Sequence, residues 1–473
     1  MTSSGLLLSP FRQVALMLTL SLSAFSANYV AAAHLIALFE VAEAFHVSLK
    51  ASADTIGFGL LGLGTAPFLW NPLSAVIGKR TTYLLAWFLF LLMTIWIALS
   101  TSYASFSAAR FFAAFTGGVA QSLPAIFIAE RIAERWRGSA VACWTLFMIG
   151  AATGSPVIGA AFLTRVGWRW LYYFTIILVG FNGFLLWIFL PRSTVAKARI
   201  RDTETKHFDA ENVFEEKSMF EPSCQTTSVS ADHTAPSRKE RVMVAIAKNS
   251  RVFLRQAIRP LRMLLDPTVV LVSLYCAMLF GWAVGVTLIV PEVYELPPYN
   301  YSKLAVGGFS GAGVVGLVIG KFAGGYLADV YAIYKQRQSG QYIREQRLWA
   351  CVPHFLLYGL GLLIFGIGLQ NHWPWPAPII AGFGVLAFSL VAALGILQTY
   401  MIECNLEATI ECMAIFNFAK NTFAFACPFF LPGWAFSGFT KAYVVQAVLS
   451  VFLGLLLCTF LLFRGRTVTR RDS

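Results

Sequence analysis

Twelve long apolar stretches constrain this chain more than any other feature of its sequence. An α-helix needs about 20 apolar residues to cross the roughly 30 Å hydrocarbon core of a bilayer. The stretches lie at about 13–36, 54–77, 82–100, 105–130, 139–162, 168–190, 268–290, 304–328, 347–369, 376–400, 411–433 and 440–463. They are continuous rather than alternating between apolar and polar residues, which favours helices over a β-barrel. The sequence therefore predicts an all-α membrane protein with twelve transmembrane helices.

The composition excludes the two main alternatives to a membrane protein. Charged residues make up 12% of the 473 residues and hydrophobic residues 58%, whereas soluble domains average about 25% charged residues. A water-soluble globule of this composition would expose a largely apolar surface. A disordered chain, in turn, is poor in apolar residues, whereas this chain is rich in them.

The net charge of +13 would suit a nucleic-acid partner, but the placement of the basic residues indicates membrane topology instead. With a cytoplasmic N-terminus, 28 of the 36 Lys and Arg residues fall on predicted cytoplasmic segments. The other eight are Lys50, Arg165, Arg169, Lys303 and Lys441 in outer loops and Arg110, Lys321 and Lys420 within helices. By the positive-inside rule, both termini are expected in the cytoplasm. We expect these basic residues to interact with membrane lipids and not with nucleic acid.

The helices fall into two groups of six, separated by a long polar interval. Residues 1–190 are predicted to form an N-terminal six-helix bundle, 191–266 a largely disordered cytoplasmic linker loop, and 267–473 a C-terminal six-helix bundle with a short cytoplasmic tail. Such a 6+6 arrangement is typical of transporters built from two parallel repeats. The end of the linker, Lys248–Arg262, spaces its basic and apolar residues as an amphipathic helix does, and we expect it to lie on the inner leaflet.

Short motifs on these helices carry a resemblance to a known family. The motif residues are Gly78, Lys79 and Arg80 after helix 2, Pro156 and Gly159 in helix 5, and Gly325 and Asp329 after helix 8. Ala75 stands where the family's helix 2–3 motif has Asp. Together with Arg110 in helix 4 and Asn417–Asn421 in helix 11, the motifs resemble the major facilitator superfamily, and within it the fungal twelve-helix drug:proton antiporters. The resemblance implies two six-helix bundles that rock around a central site, with the motif residues controlling that motion.

Few ionisable side chains fall inside the predicted helices, and each is a candidate for function because a charge inside the bilayer costs about 2.5–3.5 kcal/mol on insertion scales. Arg110, in the outer part of helix 4, is a candidate for proton coupling or for orienting a substrate. His34 titrates near neutral pH and is a second candidate for proton coupling. Lys420, near the middle of helix 11, is a candidate for binding substrate anions, whereas Lys321 is expected to extend towards the inner surface.

The resemblance also implies that helices 1, 4, 7 and 10 line a central cavity. Tyr and Trp side chains suit a flat organic molecule by stacking, and Asn or Gln can fix its orientation. The candidate substrate contacts are Asn28, His34, Gln121, Tyr275, Trp282, Gln398 and Tyr400, with Lys420 from helix 11. Helix 1 has no acidic residue in its interior. We therefore expect neutral or acidic substrates rather than cationic ones.

The sequence carries no enzyme signature, neither a phosphate-binding glycine loop nor a His-Glu-x-x-His pair, and its eight cysteines show no metal-site spacing. No enzyme activity, cofactor or metal is expected. The most favoured function is proton-coupled export of a small organic compound, such as a specialised metabolite, toxin or drug. Proton-coupled uptake of a small nutrient or organic anion stays open, since Arg110 and Lys420 would serve it equally well, and a transporter-like sensor is a third alternative. We expect a monomer in the plasma membrane, with Asn300 in an outer loop as a candidate glycosylation site.

Overall fold

The computed structural model describes residues 9–132, 134–191, 252–339, 344–405 and 408–472. In these ranges, twelve helices are long and apolar enough to span a membrane. They are α1 (Pro10–Ala32), α2 (Leu49–Ile77), α3 (Lys79–Leu99), α4 (Tyr103–Arg131), α5 (Glu134–Leu163), α6 (Trp170–Phe189), α7 (Pro267–Tyr294), α8 (Lys303–Ser339), α9 (Cys351–Gln370), α10 (Ala377–Cys404), α11 (Thr409–Phe436) and α12 (Phe439–Asp472). The predicted all-α membrane fold with twelve spanning helices is confirmed.

Some helix ends differ from the limits of the apolar stretches. The predicted stretches end at about 328 and 463, but α8 continues to Ser339 and α12 to Asp472. The apolar pattern marks where a chain leaves the bilayer, whereas the backbone hydrogen bonds of a helix continue through polar residues. Conversely, α1 ends at Ala32, earlier than predicted, and a turn leads into the short helix Leu38–Ala44.

Most of the predicted linker, residues 192–251, lies outside the described residues, so its disorder stays a prediction. The described part begins with a helix over residues 252–262 and continues as the 3-10 turn Met263–Leu265. Asp266 then accepts a hydrogen bond from the backbone N–H of Thr268 at 2.9 Å and caps α7. A capping Asp followed by Pro is a strong start signal for a helix, because Pro lacks the N–H that would be unpaired there.

The spanning helices alternate in direction, so the bundle has two ends. We call the end at which α1 begins, α6 ends and α7 begins the linker face, and the opposite end the distal face. Helices α1–α6 pack around one apolar core and α7–α12 around another. The second core continues across the distal half into α1, α2 and α5, where it includes Ala32, Ile56 and Ala160. Apolar packing therefore joins the two bundles in the distal half.

Candidate functional site: the interface between the two bundles

The two bundles meet mainly along two helix pairs, α2 with α11 and α5 with α8. Glycines let the backbones come close at both contacts. A Cβ atom added to Gly57 of α2 would lie 2.8 Å from the carbonyl oxygen of Phe425. One added to Gly307 of α8 would lie 2.7 Å from the carbonyl oxygen of Pro156. Close backbone approach of this kind is what holds helices together in lipid, where burial of apolar surface gives little advantage.

An ion pair crosses between the bundles at the distal face. Lys303, the first residue of α8, contacts Glu40 of the short helix Leu38–Ala44. The two side chains are partly buried, with 35% and 23% of their surface exposed. Together with the apolar core that crosses at the same level, this pair closes the distal half of the interface.

The ion pairs of the described residues at the linker face stay within one half of the chain. Lys79 contacts Glu130 inside the N-terminal bundle. Arg347 contacts Glu403 at 2.8 Å inside the C-terminal bundle. Among the described residues, an ion pair between the bundles crosses at the distal face, while apolar contacts between them also reach the other half, where Phe68 of α2 packs against Phe418 of α11. We interpret the conformation as one closed at the distal face.

The motif residues after α2 hold the N-terminal bundle together. Gly78 separates α2 from α3 with a φ of +90°, a value that side chains disfavour. Lys79 pairs with Glu130 at the end of α4. Arg80 donates through Nη2 to the carbonyl oxygen of Trp187 in α6, at 2.7 Å. The three residues thus tie the start of α3 to two neighbouring helices.

The other motif residues lie at the contact of α5 with α1 and α8, or beyond the described side chains. Pro156 contacts Gly307 as described above, and a Cβ atom on Gly159 would lie 2.7 Å from Cγ2 of Ile36. The side chains of Gly325 and Asp329 are outside the part that the structure describes. The controlling role of these motif residues stays a prediction.

Helix α4 is broken in the middle of the membrane. A 3-10 turn, Gly118–Gln121, separates its two α-helical parts. Pro124 has no N–H to donate to the carbonyl of Ala120, four residues earlier, so the regular hydrogen bonds of the helix are interrupted. The indole N–H of Trp144 donates to the freed Ala120 oxygen instead, at 3.2 Å. Irregular backbone at membrane depth is tolerated only where it is buried in protein or lines a cavity, and it often marks a transport site.

The break places Gln121 in a polar cluster between the two bundles. Gln121 donates through Nε2 to Oδ1 of Asn28 in α1, at 3.2 Å. Asn417 of α11 donates through Nδ2 to the backbone carbonyl of Gln121, at 3.5 Å. Gln121 and Asn417 are at most 1% exposed. The cluster of Asn28, Gln121 and Asn417 thus joins α1, α4 and α11 and connects one bundle to the other.

Two acceptors of this polar cluster are unused. Gln121 Oε1 and Asn417 Oδ1 are buried and have no hydrogen-bond partner among the described residues. A buried acceptor without a partner costs about 1–3 kcal/mol, so a water molecule or ligand that donates to it is stabilised. The polar cluster is therefore suited to bind a molecule that carries hydroxyl or N–H groups.

A buried cation lies beside the polar cluster. Lys420 follows Asn417 by three residues and lies on the same side of α11. Its Nζ is 4.9 Å from the ring centroid of Phe280 in α7, and the residue is 4% exposed. No described carboxylate or hydrogen-bond acceptor contacts it. Nearby on α7, Trp282 packs edge-on against Phe423, and its indole N–H has no partner among the described residues.

The remaining predicted contacts lie in different places. Gln398 of α10 donates through Nε2 to the Met413 sulfur at 3.0 Å and is half-buried. Tyr400 is buried at 3% exposure. Tyr275 donates to the backbone carbonyl of Ser450 in α12 at 2.8 Å, on the side of α7 away from the other bundle. The structure therefore does not bring Tyr275 to the interface. Helix α7 is apolar all round, so its sequence pattern does not show which side faces the partner bundle.

Arg110 is held inside the N-terminal bundle rather than at the interface. It is 1% exposed. Its guanidinium donates to the carbonyl oxygens of Thr55 at 3.0 Å, Ala31 at 2.5 Å and Val30 at 3.3 Å. It also donates to the hydroxyl of Tyr172 at 2.7 Å. Backbone carbonyls thus satisfy the charge, two of them in the last turn of α1, where carbonyls lack helical partners, and one in α2.

His34 continues the same network. Thr55 donates its only hydroxyl hydrogen to the Ser52 carbonyl at 2.7 Å, so it accepts from His34 Nε2 at 2.8 Å. The other ring nitrogen, Nδ1, is 3.2 Å from the Tyr172 hydroxyl, which itself accepts from Arg110. One consistent assignment follows, in which Tyr172 donates to Nδ1 and neutral His34 donates from Nε2. The proton-coupling roles of His34 and Arg110 stay predictions.

Sequence reasoning missed some features of this site. Asn417 was noted only as part of a family motif, although an Asn in the middle of a spanning helix is itself a signal. The contact of Glu40 with Lys303 joins residues far apart in the chain, and no local pattern predicts it. Asn300 lies exposed at the distal face between α7 and α8, and its outer location and its glycosylation stay predictions.

Comparison with known proteins agrees with this architecture. The chain is 28% identical over 364 residues to the MFS transporter cpaT of Aspergillus oryzae, covering 76% of this chain and 68% of that one. It is 26% identical over 395 residues to the cycloheximide resistance protein of Candida maltosa, covering 81% and 66%. Its fold resembles that of the xylose transporter XylE from E. coli in a partially occluded inward open conformation, with a TM-score of 0.62, 15% identity and coverage of 95% and 98%.

The family assignment rests on most of the chain. The family model of the Major Facilitator Superfamily matches residues 17–403, from the first turns of α1 to the end of α10. Members of this family move small molecules across membranes and are transporters rather than enzymes. With its two six-helix bundles and a polar cluster between them, this chain belongs to the Major Facilitator Superfamily.

Proposed function

We propose that the protein is a proton-coupled exporter of a small organic compound and that the polar cluster with Lys420 is its substrate site. The observation that carries the proposal is the pair of unused acceptors, Gln121 Oε1 and Asn417 Oδ1, between two bundles that are closed at the distal face. In alternating access, a site between the bundles opens to one side at a time. A distally closed conformation leaves the linker face as the direction from which a substrate enters.

The linker face is proposed to be cytoplasmic. Described basic residues at this face include Lys79, Arg80, Arg255, Arg259 and Arg262. They agree with the excess of basic residues that cytoplasmic loops carry. A site that opens to the cytoplasm would load the compound that an exporter removes. A plasma-membrane location, cytoplasmic termini and a monomeric state are parts of the same proposal.

The chemistry of the interface favours neutral or acidic substrates. Lys420 is a buried cation without a described counter-ion, and it would be neutralised by a carboxylate or phenolate of the substrate. The rings of Phe280 and Trp282 provide apolar faces against which a flat molecule can stack. Donor groups of the substrate would use the two free acceptors. A small aromatic acid that carries hydroxyl or N–H groups fits these three features.

The name of one relative favours export over uptake. The cycloheximide resistance protein is named for resistance to a toxic compound, and export lowers the internal level of such a compound. Uptake coupled to protons is the second candidate, because Lys420 would bind an anion moving in either direction. For the proton step, Arg110 and His34 are proposed as candidates, since their hydrogen-bonded network links α1, α2, α4 and α6.

Cellular accumulation tests the proposed function. Yeast lacking its own drug pumps would express the chain and be loaded with neutral, acidic and cationic amphipathic compounds. We expect lower internal levels of acidic compounds with wild type than with Lys420→Met, and a protonophore should abolish the difference. Higher levels with wild type would show uptake. Levels that are unaffected by the protonophore would contradict proton coupling.

Alternating access has its own test at the distal face. Glu40→Cys with Lys303→Cys places two thiols where the bundles are in contact. Oxidation is expected to block transport, and a reductant to restore it, because the distal face could no longer open. Each single substitution is the matched control and should transport with or without oxidant. Full transport by the cross-linked protein would exclude opening at this face.

A further inference from the structure

The helix over residues 252–262 lies outside the twelve spanning helices and leads directly into α7. Its exposed side chains form two parallel stripes. The apolar stripe consists of Leu254, Ile258 and Leu261 and continues to Leu265 in the 3-10 turn that follows, each at least 43% exposed. The basic stripe consists of Arg255, Arg259 and Arg262, all exposed. Residues three or four apart share a helix face, so the two stripes run side by side, offset by one residue.

The other side of this helix rests on the protein. Pro260 is buried, and Met263 contacts the thiol of Cys412 near the start of α11. Arg259 lies 3.7 Å from Glu411, its acidic partner. Asp266, just before α7, accepts a hydrogen bond from Asn405 at 3.1 Å. These contacts fix which sides of the helix point outward.

The outward charge is not neutralised by the protein. In the described part of the chain, Arg255 and Arg262 contact no acidic side chain, and Glu411 is shared with Arg259 alone. The membrane-spanning helix α7 begins at Pro267, two residues after the last leucine of the apolar stripe. The stripe therefore lies at the level where the bilayer surface meets the bundle.

We propose that the helix over residues 252–262 is a binding site for anionic phospholipids of the leaflet at the linker face. Its leucine stripe enters the boundary between headgroups and acyl chains, as in interfacial helices. The adjacent arginines then reach the phosphate and carboxylate groups of the headgroups, which guanidinium binds in a bidentate manner. Because Arg259 also contacts Glu411, the bound lipid is connected to α11, which carries Asn417 and Lys420.

Hydrogen–deuterium exchange of the full chain in nanodiscs tests this site without a transport substrate. One set of discs contains phosphatidylcholine alone, and the other contains an equal mixture with phosphatidylserine. We expect backbone amides of residues 252–262 to exchange about thirtyfold more slowly in the anionic discs, since Arg255 and Arg262, which have no described acidic partner, each contribute a factor of about five. Arg255→Gln with Arg262→Gln should remove this difference.

Two controls separate headgroup binding from general effects. Arg165→Gln with Lys441→Gln removes two exposed cations at the distal face and should leave the thirtyfold difference intact. Leu254→Ser with Leu261→Ser should speed exchange in both kinds of disc, because the apolar stripe no longer enters the bilayer. Equal exchange of the wild type in the two kinds of disc would overturn the proposal. The proposal would also be overturned if glycerophosphoserine added to phosphatidylcholine discs slowed exchange as much as phosphatidylserine discs do. That result would indicate a site for a soluble anion.

Discussion

Arg110 and Lys420 are cations buried in the interior of spanning helices, and they are held in opposite ways. Arg110 donates to three backbone carbonyls and one hydroxyl inside a single bundle. Lys420 lies against the Phe280 ring beside the polar cluster, and no described acceptor contacts it. Both are at most 4% exposed, so depth in the membrane does not distinguish them. The difference lies in their partners.

The comparison separates a structural charge from a charge that is available to a ligand. Four of the five N–H donors of Arg110 have a described acceptor, so it stabilises the junction of α1, α2, α4 and α6. No described hydrogen-bond acceptor contacts Lys420, and it lies three residues from Asn417, which donates a hydrogen bond to the other bundle. A buried charge without a partner is costly unless something neutralises it, and in a transporter that partner can be the substrate.

The largest expected effect is on stability, from Arg110→Met. It leaves the carbonyls of Val30, Ala31 and Thr55 without their donor, which should lower the free energy of unfolding by about 2–4 kcal/mol. Lys420→Met, the matched removal of a buried cation, should leave stability unchanged or raise it. Thermal unfolding of both purified variants in detergent measures the difference. An equal loss of stability in the two variants would contradict the view that Arg110 is a structural charge and Lys420 is not.

The next effect is on transport, from Lys420→Met. Loss of the only described cation beside the polar cluster should reduce transport of an acidic substrate at least tenfold, since a charge-assisted contact contributes about 1.5–3 kcal/mol. Lys420→Arg keeps the charge and should retain part of the activity. Initial transport rates at equal membrane levels of protein measure this. If Lys420→Met transports acids at the wild-type rate, Lys420 does not bind the substrate, and it does not differ from Arg110 in this respect.

A smaller effect is expected from the two unused acceptors. Gln121→Leu and Asn417→Leu each remove one hydrogen bond to the substrate and should weaken transport about fivefold, equivalent to about 1 kcal/mol. Asn182→Leu is the control, because Asn182 is also buried with an unpaired carbonyl oxygen but lies within the N-terminal bundle. Apparent substrate affinity is the quantity to compare. If Asn182→Leu weakens affinity as much as the other two, the site has been misplaced.

The smallest effect concerns a half-buried carboxyl group, that of Glu295, in the loop after α7. Glu295 has one carboxylate oxygen buried without a described partner, and burial raises its pKa to about 7. The folded protein thus holds this proton more tightly than the unfolded chain, whose Glu pKa is about 4.3. Stability should fall as the pH rises from about 4.3 to about 7 and then level off.

Glu295→Gln imitates the protonated carboxyl and separates this effect from other titrations. The variant and the wild type should unfold at similar temperatures near pH 4, and the variant should be the more stable of the two above about pH 7. Thermal unfolding across this pH range makes the comparison. A wild type that gains stability over the variant as the pH rises would show that Glu295 has a partner when ionised.

The number of helices and their approximate positions followed from the sequence, because membrane-spanning length and continuous apolarity are local properties. The positions of Arg110 in the first third of α4 and of Lys420 near the middle of α11 are local in the same sense. The break in α4 was not predicted, although its signals, Gly117, Gly118 and Pro124, stand close together in the middle of an apolar stretch. These signals depend only on nearby residues.

The partners of each side chain could not be predicted. Tyr275 was expected in the cavity and instead contacts α12, because a helix that is apolar all round gives no sign of its rotation. The contact of Glu40 with Lys303 and the meeting of Asn417 with Gln121 join distant parts of the chain. Such pairings depend on how the two bundles pack, which no single stretch of sequence encodes.

The central claim is that Lys420, and not Arg110, faces the cargo. Thermal unfolding of the wild type against a panel of aromatic acids, neutral analogues and cationic analogues tests it most directly, because a bound ligand raises the unfolding temperature. We expect stabilisation by one or more aromatic acids that is kept in Arg110→Lys and Lys420→Arg and lost in Lys420→Met. Stabilisation that survives in Lys420→Met but disappears in Arg110→Lys would contradict the account.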